Sequence, residues 1–147
     1  MKYFEDFQVG ESKQLGERLM SREDIIEFAL KFDRQAIHID EVAAKKTIFK
    51  GLIASGLHTL STAASIVVDE YLQDTAMVGG AGMNNVLWVK PVRPGDHIAV
   101  KIEVVRKTPH PKTSILGVVT TQQTVTTDDG SVVMTGEVDY LFGRQPA

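Results

Sequence analysis

The stretch FDRQAIHID, residues 32 to 40, sets Asp33 and His38 into apolar surroundings with four residues between them. A carboxylate and an imidazole at such spacing can grip one water and move its proton, which is general acid–base chemistry. Taken alone, the same two residues also fit solvated or capping positions where a helix stops, the commoner fate of polar residues in a loop. Other candidates are weaker. Ser55 and His58 share a helix face, but LIASGLH lacks the glycine two residues before the serine that a nucleophile elbow requires. His97 opens a strand and His110 lies between prolines in TPHPK, both surface settings. With no cysteine and no histidine pair at ligand spacing, no metal site is expected. Gly79, Gly80 and Gly82 in MVGGAGM read as a plain flexible loop, because no Gly-Lys-Ser/Thr follows them and no helix opens on them.

Several elements must hold these residues. SREDIIEFALKF, residues 21 to 32, begins with a capping-box-like Ser21 and Asp24 and then places Ile25, Phe28, Ala29 and Phe32 at helical spacing. It predicts a short amphipathic helix ending near Asp33. Beyond it, Ile37 and Ile39 flank His38, and in an extended segment they would face one side while His38 faces the other. Asp40 then reads as the N-cap of a second short helix, EVAAKKT. A longer helix is expected over 55–72, with Leu57, Leu60, Ala64, Val67, Val68 and Tyr71 as its apolar stripe. Its other faces carry small residues in place of Lys, Glu and Arg until Asp69, so burial on most sides is expected.

From residue 84 the pattern turns to β: NNVLWVK, HIAVKIEVVRK, TSILGVVTTQQTVTT and SVVMTGEVDYLF, with turns at KPVRPGD and DDG. A further strand around 14–20 brings the count to about five, mostly consecutive and so antiparallel. The class is α+β, a curved sheet packed on one long helix, in a single domain over 1–147.

Composition excludes several functions. The chain has 147 residues, 43% hydrophobic and 24% charged, the balance of a globular domain able to bury a core without disulfides or metal. A net charge of -3 with scattered basic residues argues against a nucleic-acid partner. MKYFEDFQVG has acidic residues where a signal peptide needs an apolar run, and no stretch approaches a membrane span, so a soluble cytoplasmic protein is expected.

The run FALKFDRQAIHIDEVAAKKTIFKGLIASGLHTL resembles the hydratase motif of the MaoC-like family of (R)-specific enoyl-CoA hydratases and acyl dehydratases: aspartate, four residues, histidine, then a small-residue helix start. LWVKPVRPGDHIAVKIEVV resembles the family's next strand, turn and strand, and GEVDYLF its closing strand. Gln35 and Ala36 stand where the family often has Asn-Pro, and Ser55 where it often has a histidine, which marks a subgroup. The resemblance implies a hot-dog fold, in which a long central helix is wrapped by the sheet, and a homodimer or higher oligomer with an acyl tunnel near the subunit interface. It also implies (R)-specific addition of water to an acyl-CoA or acyl-carrier-protein thioester within fatty acid metabolism, an addition that is syn if Asp33 and His38 both sit on one face of the substrate. No cofactor is expected.

In that chemistry Asp33 is the base, and His38 holds the water and shares its proton. The N–H of Gly56, free at a helix start, is the oxyanion donor, and glycine there would let a thioester approach. Ser55 and Gln35 complete the expected substrate site, with Lys90 and Arg93 as weaker candidates for CoA phosphates. An acyl-CoA thioesterase on the same fold is the nearest alternative, disfavoured because the long helix holds no carboxylate before Asp69. A non-catalytic acyl-CoA binding module is the other.

Overall fold

A computed structural model describes the whole chain, Met1–Ala147. Five antiparallel strands form one sheet: β1 (Ser12–Leu19), β2 (Met77–Trp88), β3 (His97–Pro109), β4 (Leu116–Thr127) and β5 (Val132–Gly143). Their order across the sheet is β1-β3-β4-β5-β2. The last three strands in sequence are hairpin-linked neighbours, so alternating Ile98, Val100, Ile102 and Val104 of β3 all point into the core. DDG closes the β4–β5 turn with Gly130 at φ +81°, and KPVRPGD uses Gly95 at φ +93° to enter β3. Most side chains would resist either conformation.

β2 starts seven residues earlier than the alternation of NNVLWVK suggested. Gly79, Gly80 and Gly82 lie within it, paired with Leu141, Tyr140 and Asp139 of β5, and not in a flexible loop. Glycine carries no side chain to show a two-residue period, so the strand was invisible there. Register shifts at Met77/Gly79, Gly80/Gly82 and Asn84/Leu87 mark bulges along this edge.

Four helices run between β1 and β2. α1 (Arg22–Phe32) is capped as expected, Ser21 Oγ accepting from the Asp24 N–H at 3.1 Å. Its buried residues are Ile25 and Ala29, while Phe32 is 67% exposed, so the apolar stripe ends a turn early. α2 (Ala36–Ile39) replaces the extended segment expected around His38: His38 N–H donates to Gln35 O and Asp40 N–H to Ala36 O, closing one helical turn. That turn sends His38 into the interior, with Ile37 and Ile39 only half-buried. Asp40 caps α3 (Glu41–Lys45), its Oδ1 accepting from the Val42 and Ala43 N–H groups at 3.0 Å each.

α4 (Gly56–Glu70) packs against β1 and β3, with Ser55 as its N-cap. Thr59, Ala63, Ile66 and Val67 face the core. Leu57, Ser61, Ala64, Ser65 and Val68 are exposed, so the small-residue helix is covered on one side in the single chain, not on most sides. The far end of α4 is tied to the edge strand: the Glu70 carboxylate accepts from the Gly16 N–H at 2.6 Å and lies 3.5 Å from the Arg18 guanidinium. Gly16 sits at a β1 bulge where a Cβ would come within 2.8 Å of that carboxylate. No helix is long and apolar enough to cross a membrane.

Candidate active site

The polar residues singled out in the sequence converge where α1 ends, α2 turns and α4 begins. Asp33 is the C-cap of α1, with its side chain 20% exposed. Two donors fix its carboxylate. Gln35 Nε2 donates to Oδ1 at 2.8 Å, and Ser55 Oγ donates to Oδ2 at 2.7 Å. These two bonds, Gln35's first, hold the Asp33 pKa below the usual carboxylate value against a smaller opposing effect of burial. The carboxylate is therefore an anion throughout the neutral range.

His38 is buried, 4% exposed. Its Nδ1 lies 2.8 Å from the Ile53 carbonyl oxygen. A carbonyl only accepts, so Nδ1 carries a hydrogen there and Nε2 is the nitrogen turned toward the site. Nε2 stands 3.3 Å from Asp33 Oδ2. The carboxylate and the imidazole thus face each other at a distance over which one proton or one water can be shared.

Ser55 is fully buried, and its hydroxyl is used twice: it donates to Asp33 and accepts from the Leu57 N–H at 3.2 Å. Ser55 borders the cavity, and its hydroxyl holds the carboxylate and caps α4. The Gly56 N–H has no hydrogen-bond partner within the chain, as the helix start required. The structure supplies a packing reason for a glycine there. A Cβ at position 56 would stand 2.4 Å from Trp88 Cε2, so the place of a side chain at Gly56 is taken by an indole, while Gly56 itself borders the cavity. Trp88 Nε1 donates to Gly56 O at 2.9 Å.

Asp33, His38, Gly56 and Trp88 line one cavity of about 460 Å³, whose other walls include Phe49, Ile53 and Val133. Its size suits a small-molecule ligand, and its chemistry is apolar walls around a few convergent polar groups. Lys90 also borders it, with its ammonium 3.0 Å from Ser131 Oγ and 3.9 Å from Asp129. Arg93 is half-buried beside Gly51 and is not part of the wall. Sequence reasoning missed Phe49, Val133 and above all Trp88. The chain's one tryptophan, placed immediately before the VKPVRPGD turn, was the available signal.

The remaining candidates fall elsewhere. His58 does not meet Ser55: its ring stacks on Phe28 with centroids 4.8 Å apart and planes 9° apart, which leaves no serine–histidine pair. His97 bonds to Asp128 across the β4–β5 turn, and His110 Nδ1 accepts from the Lys112 N–H, both structural tasks at turns.

Comparison with known proteins gives a consistent answer. A family model described as "MaoC like domain" matches residues 6–127. An uncharacterized Bacillus subtilis protein, YdeM, is 32% identical over 140 residues, covering 95% of this chain and 98% of its own length. The (R)-specific enoyl-CoA hydratase of Rhodospirillum rubrum is 31% identical over 145 residues, covering 96% and 92% respectively. The crystal structure of the monoamine oxidase regulatory protein from Archaeoglobus fulgidus superposes with a TM-score of 0.90 at 34% identity, covering 98% of this chain and 95% of that one. With its five-stranded antiparallel sheet laid on one long helix, its Asp33–His38 corner and a family match over most of its length, the chain belongs to the MaoC-like domain family, on the hot-dog fold.

Proposed function

We propose that this chain adds water to, and removes it from, an acyl thioester as an (R)-specific enoyl-CoA hydratase or 3-hydroxyacyl-thioester dehydratase. The observation that carries the reading is the His38 tether: with Nδ1 given to the Ile53 carbonyl, Nε2 is turned to an ionised Asp33 at 3.3 Å. Water donates both hydrogens, one to each acceptor, which turns an oxygen lone pair outward to the β-carbon of a bound enoyl thioester.

Asp33 takes one proton as the oxygen bonds to the β-carbon, while the electrons of the double bond move onto the thioester oxygen. The Gly56 N–H, with the positive end of α4 behind it, receives that charge. The proton held at Asp33 then returns to the α-carbon, which restores the carboxylate and completes hydration. Both additions come from the Asp33–His38 side, so they are syn. Substrate in the cavity displaces solvent and raises the carboxylate's basicity from its low resting value. Proton transfer of this kind contributes roughly 10²–10⁴-fold. No resident cofactor enters the scheme.

The substrate handle is a CoA or acyl-carrier thioester, and Lys90 at the cavity wall is the better placed of the two basic candidates for its phosphates. The partner of the fold is a second copy of the chain. β2 is an edge strand with Val78, Met83 and Leu87 exposed, and α4 leaves Leu57 and Val68 bare nearby in sequence order. Exposed apolar edges of this kind pair or are covered in natural proteins.

The test follows the absorbance of crotonyl-CoA beside thiol release from butyryl-CoA. Loss of the enoyl signal without free thiol, giving (R)-3-hydroxybutyryl-CoA, is the expected result. Thiol release in place of hydration would assign a thioesterase.

A further inference from the structure

Gly56, the first residue of α4, is a flexible residue at the point where the reaction's negative charge is proposed to land. A glycine there leaves the direction of its N–H loosely set. The structure constrains it from outside. The Trp88 indole packs against Gly56, within 2.4–2.8 Å of where a Cβ would be, and its Nε1–H grips the Gly56 carbonyl at 2.9 Å. The peptide unit that holds this carbonyl also bears the Leu57 N–H, which donates to Ser55 Oγ, and Ser55 in turn donates to Asp33 Oδ2 at 2.7 Å. One unbroken chain of donors and acceptors therefore runs from the indole through the helix start to the carboxylate.

We infer that Trp88 is a positioning residue for the reaction: its indole stands in for the side chain Gly56 lacks, holds the Gly56–Leu57 peptide and with it the helix start from which the Gly56 N–H projects, and forms the wall on which the thioester end of the substrate lies. The inference rests on the acyl-thioester reading of the site. Trp88 borders the same cavity as Asp33 and His38, so a ligand there touches it. Because the chain has one tryptophan, its fluorescence reports on this position alone.

The experiment uses the intact protein and two substitutions. Butyryl-CoA, which cannot be hydrated, is titrated while calorimetry measures binding and tryptophan emission is recorded, with CoA alone as the comparison. Trp88→Phe keeps a ring and loses the donor, and Trp88→Ala removes both. Binding is expected to shift the emission, and more so than CoA alone. Trp88→Phe should lower kcat for crotonyl-CoA about tenfold with KM within about twofold, since a misaimed oxyanion donor is felt in the transition state. Trp88→Ala should lower kcat further. Bound butyryl-CoA with unchanged emission, or a Trp88→Phe variant with unreduced kcat, overturns the role of Trp88 alone. No heat of binding by calorimetry overturns the acyl-CoA reading and this inference with it.

Discussion

Two buried imidazoles flank the start of α4, and they live under opposite conditions. His38 has both nitrogens placed: Nδ1 on the Ile53 carbonyl, Nε2 beside Asp33. His58, 9% exposed, stacks on Phe28, and its Nδ1 has no partner. Burial pushes the His58 pKa down, with only a smaller opposing pull from Asp24. Both are histidines inside an apolar setting, yet one ring is held in a fixed tautomer facing an anion and a cavity of about 460 Å³, whereas the other fills space between two helices. Burial of a titratable group does not make a site. What sets His38 apart is the tethering of one nitrogen, which leaves the other turned to the carboxylate and the cavity.

That contrast can be broken experimentally, starting from its polar side. Asp33→Asn should keep the fold and lower kcat for crotonyl-CoA hydration by roughly 10³-fold. An active Asp33→Asn enzyme would remove the base from the scheme. His38→Ala should cost about 10²-fold, chiefly in kcat. If KM alone rises, His38 binds substrate and does not handle the proton.

Ser55→Ala should have a smaller effect, about tenfold in kcat, together with a loss of about 1 kcal/mol from the α4 cap. It also moves the pH profile in a stated direction. Ser55 is one of the two donors that hold Asp33 low, so the variant's pKa returns toward the ordinary value and the acid limb of activity shifts to higher pH. An unmoved acid limb would mean that Asp33 is not the group titrating.

The smallest effect belongs to His58→Phe. Activity should stay within about twofold, and stability should rise by about 1 kcal/mol as an unpartnered buried nitrogen is removed. The folded pKa lies below the ordinary value of 6.5, so below that pH the unfolded chain binds a proton that the folded chain refuses. Stability therefore falls as pH drops through that window. Thermal denaturation between pH 7 and 5 should show a shallower decline in His58→Phe, and an identical slope would show that His58 is not buried neutral.

Much of the candidate site was legible in one stretch of sequence, because Asp33, Gln35, His38, Ser55 and Gly56 are near neighbours in the chain and the fold gathers them around one cavity. The Asp40 cap, α1, α4 and four of the strands followed from spacing that side chains display directly. What escaped notice lacks such a display. Glycines at 79, 80 and 82 have no alternation to read, and the single turn of α2 is too short for a period to emerge. The stripe of α4 was set about one residue off, since serines, threonines and alanines are as much at home on an uncovered face as in a core. Trp88 was hidden for another reason: its contact with Gly56 joins positions far apart in the chain, and only the closing of β2 onto β5 brings them together.

The same separation between near and far bears on how the molecule forms. The bonds that assemble the site are short excursions along the chain, from Asp33 to Ser55 and from His38 to Ile53. The sheet must bring Ser12 beside Glu103 before β1 has a neighbour. Closing such long loops is the slow event in folding. The sheet therefore sets the pace of refolding, and substitutions at Asp33 or His38 should alter turnover while leaving that rate nearly untouched.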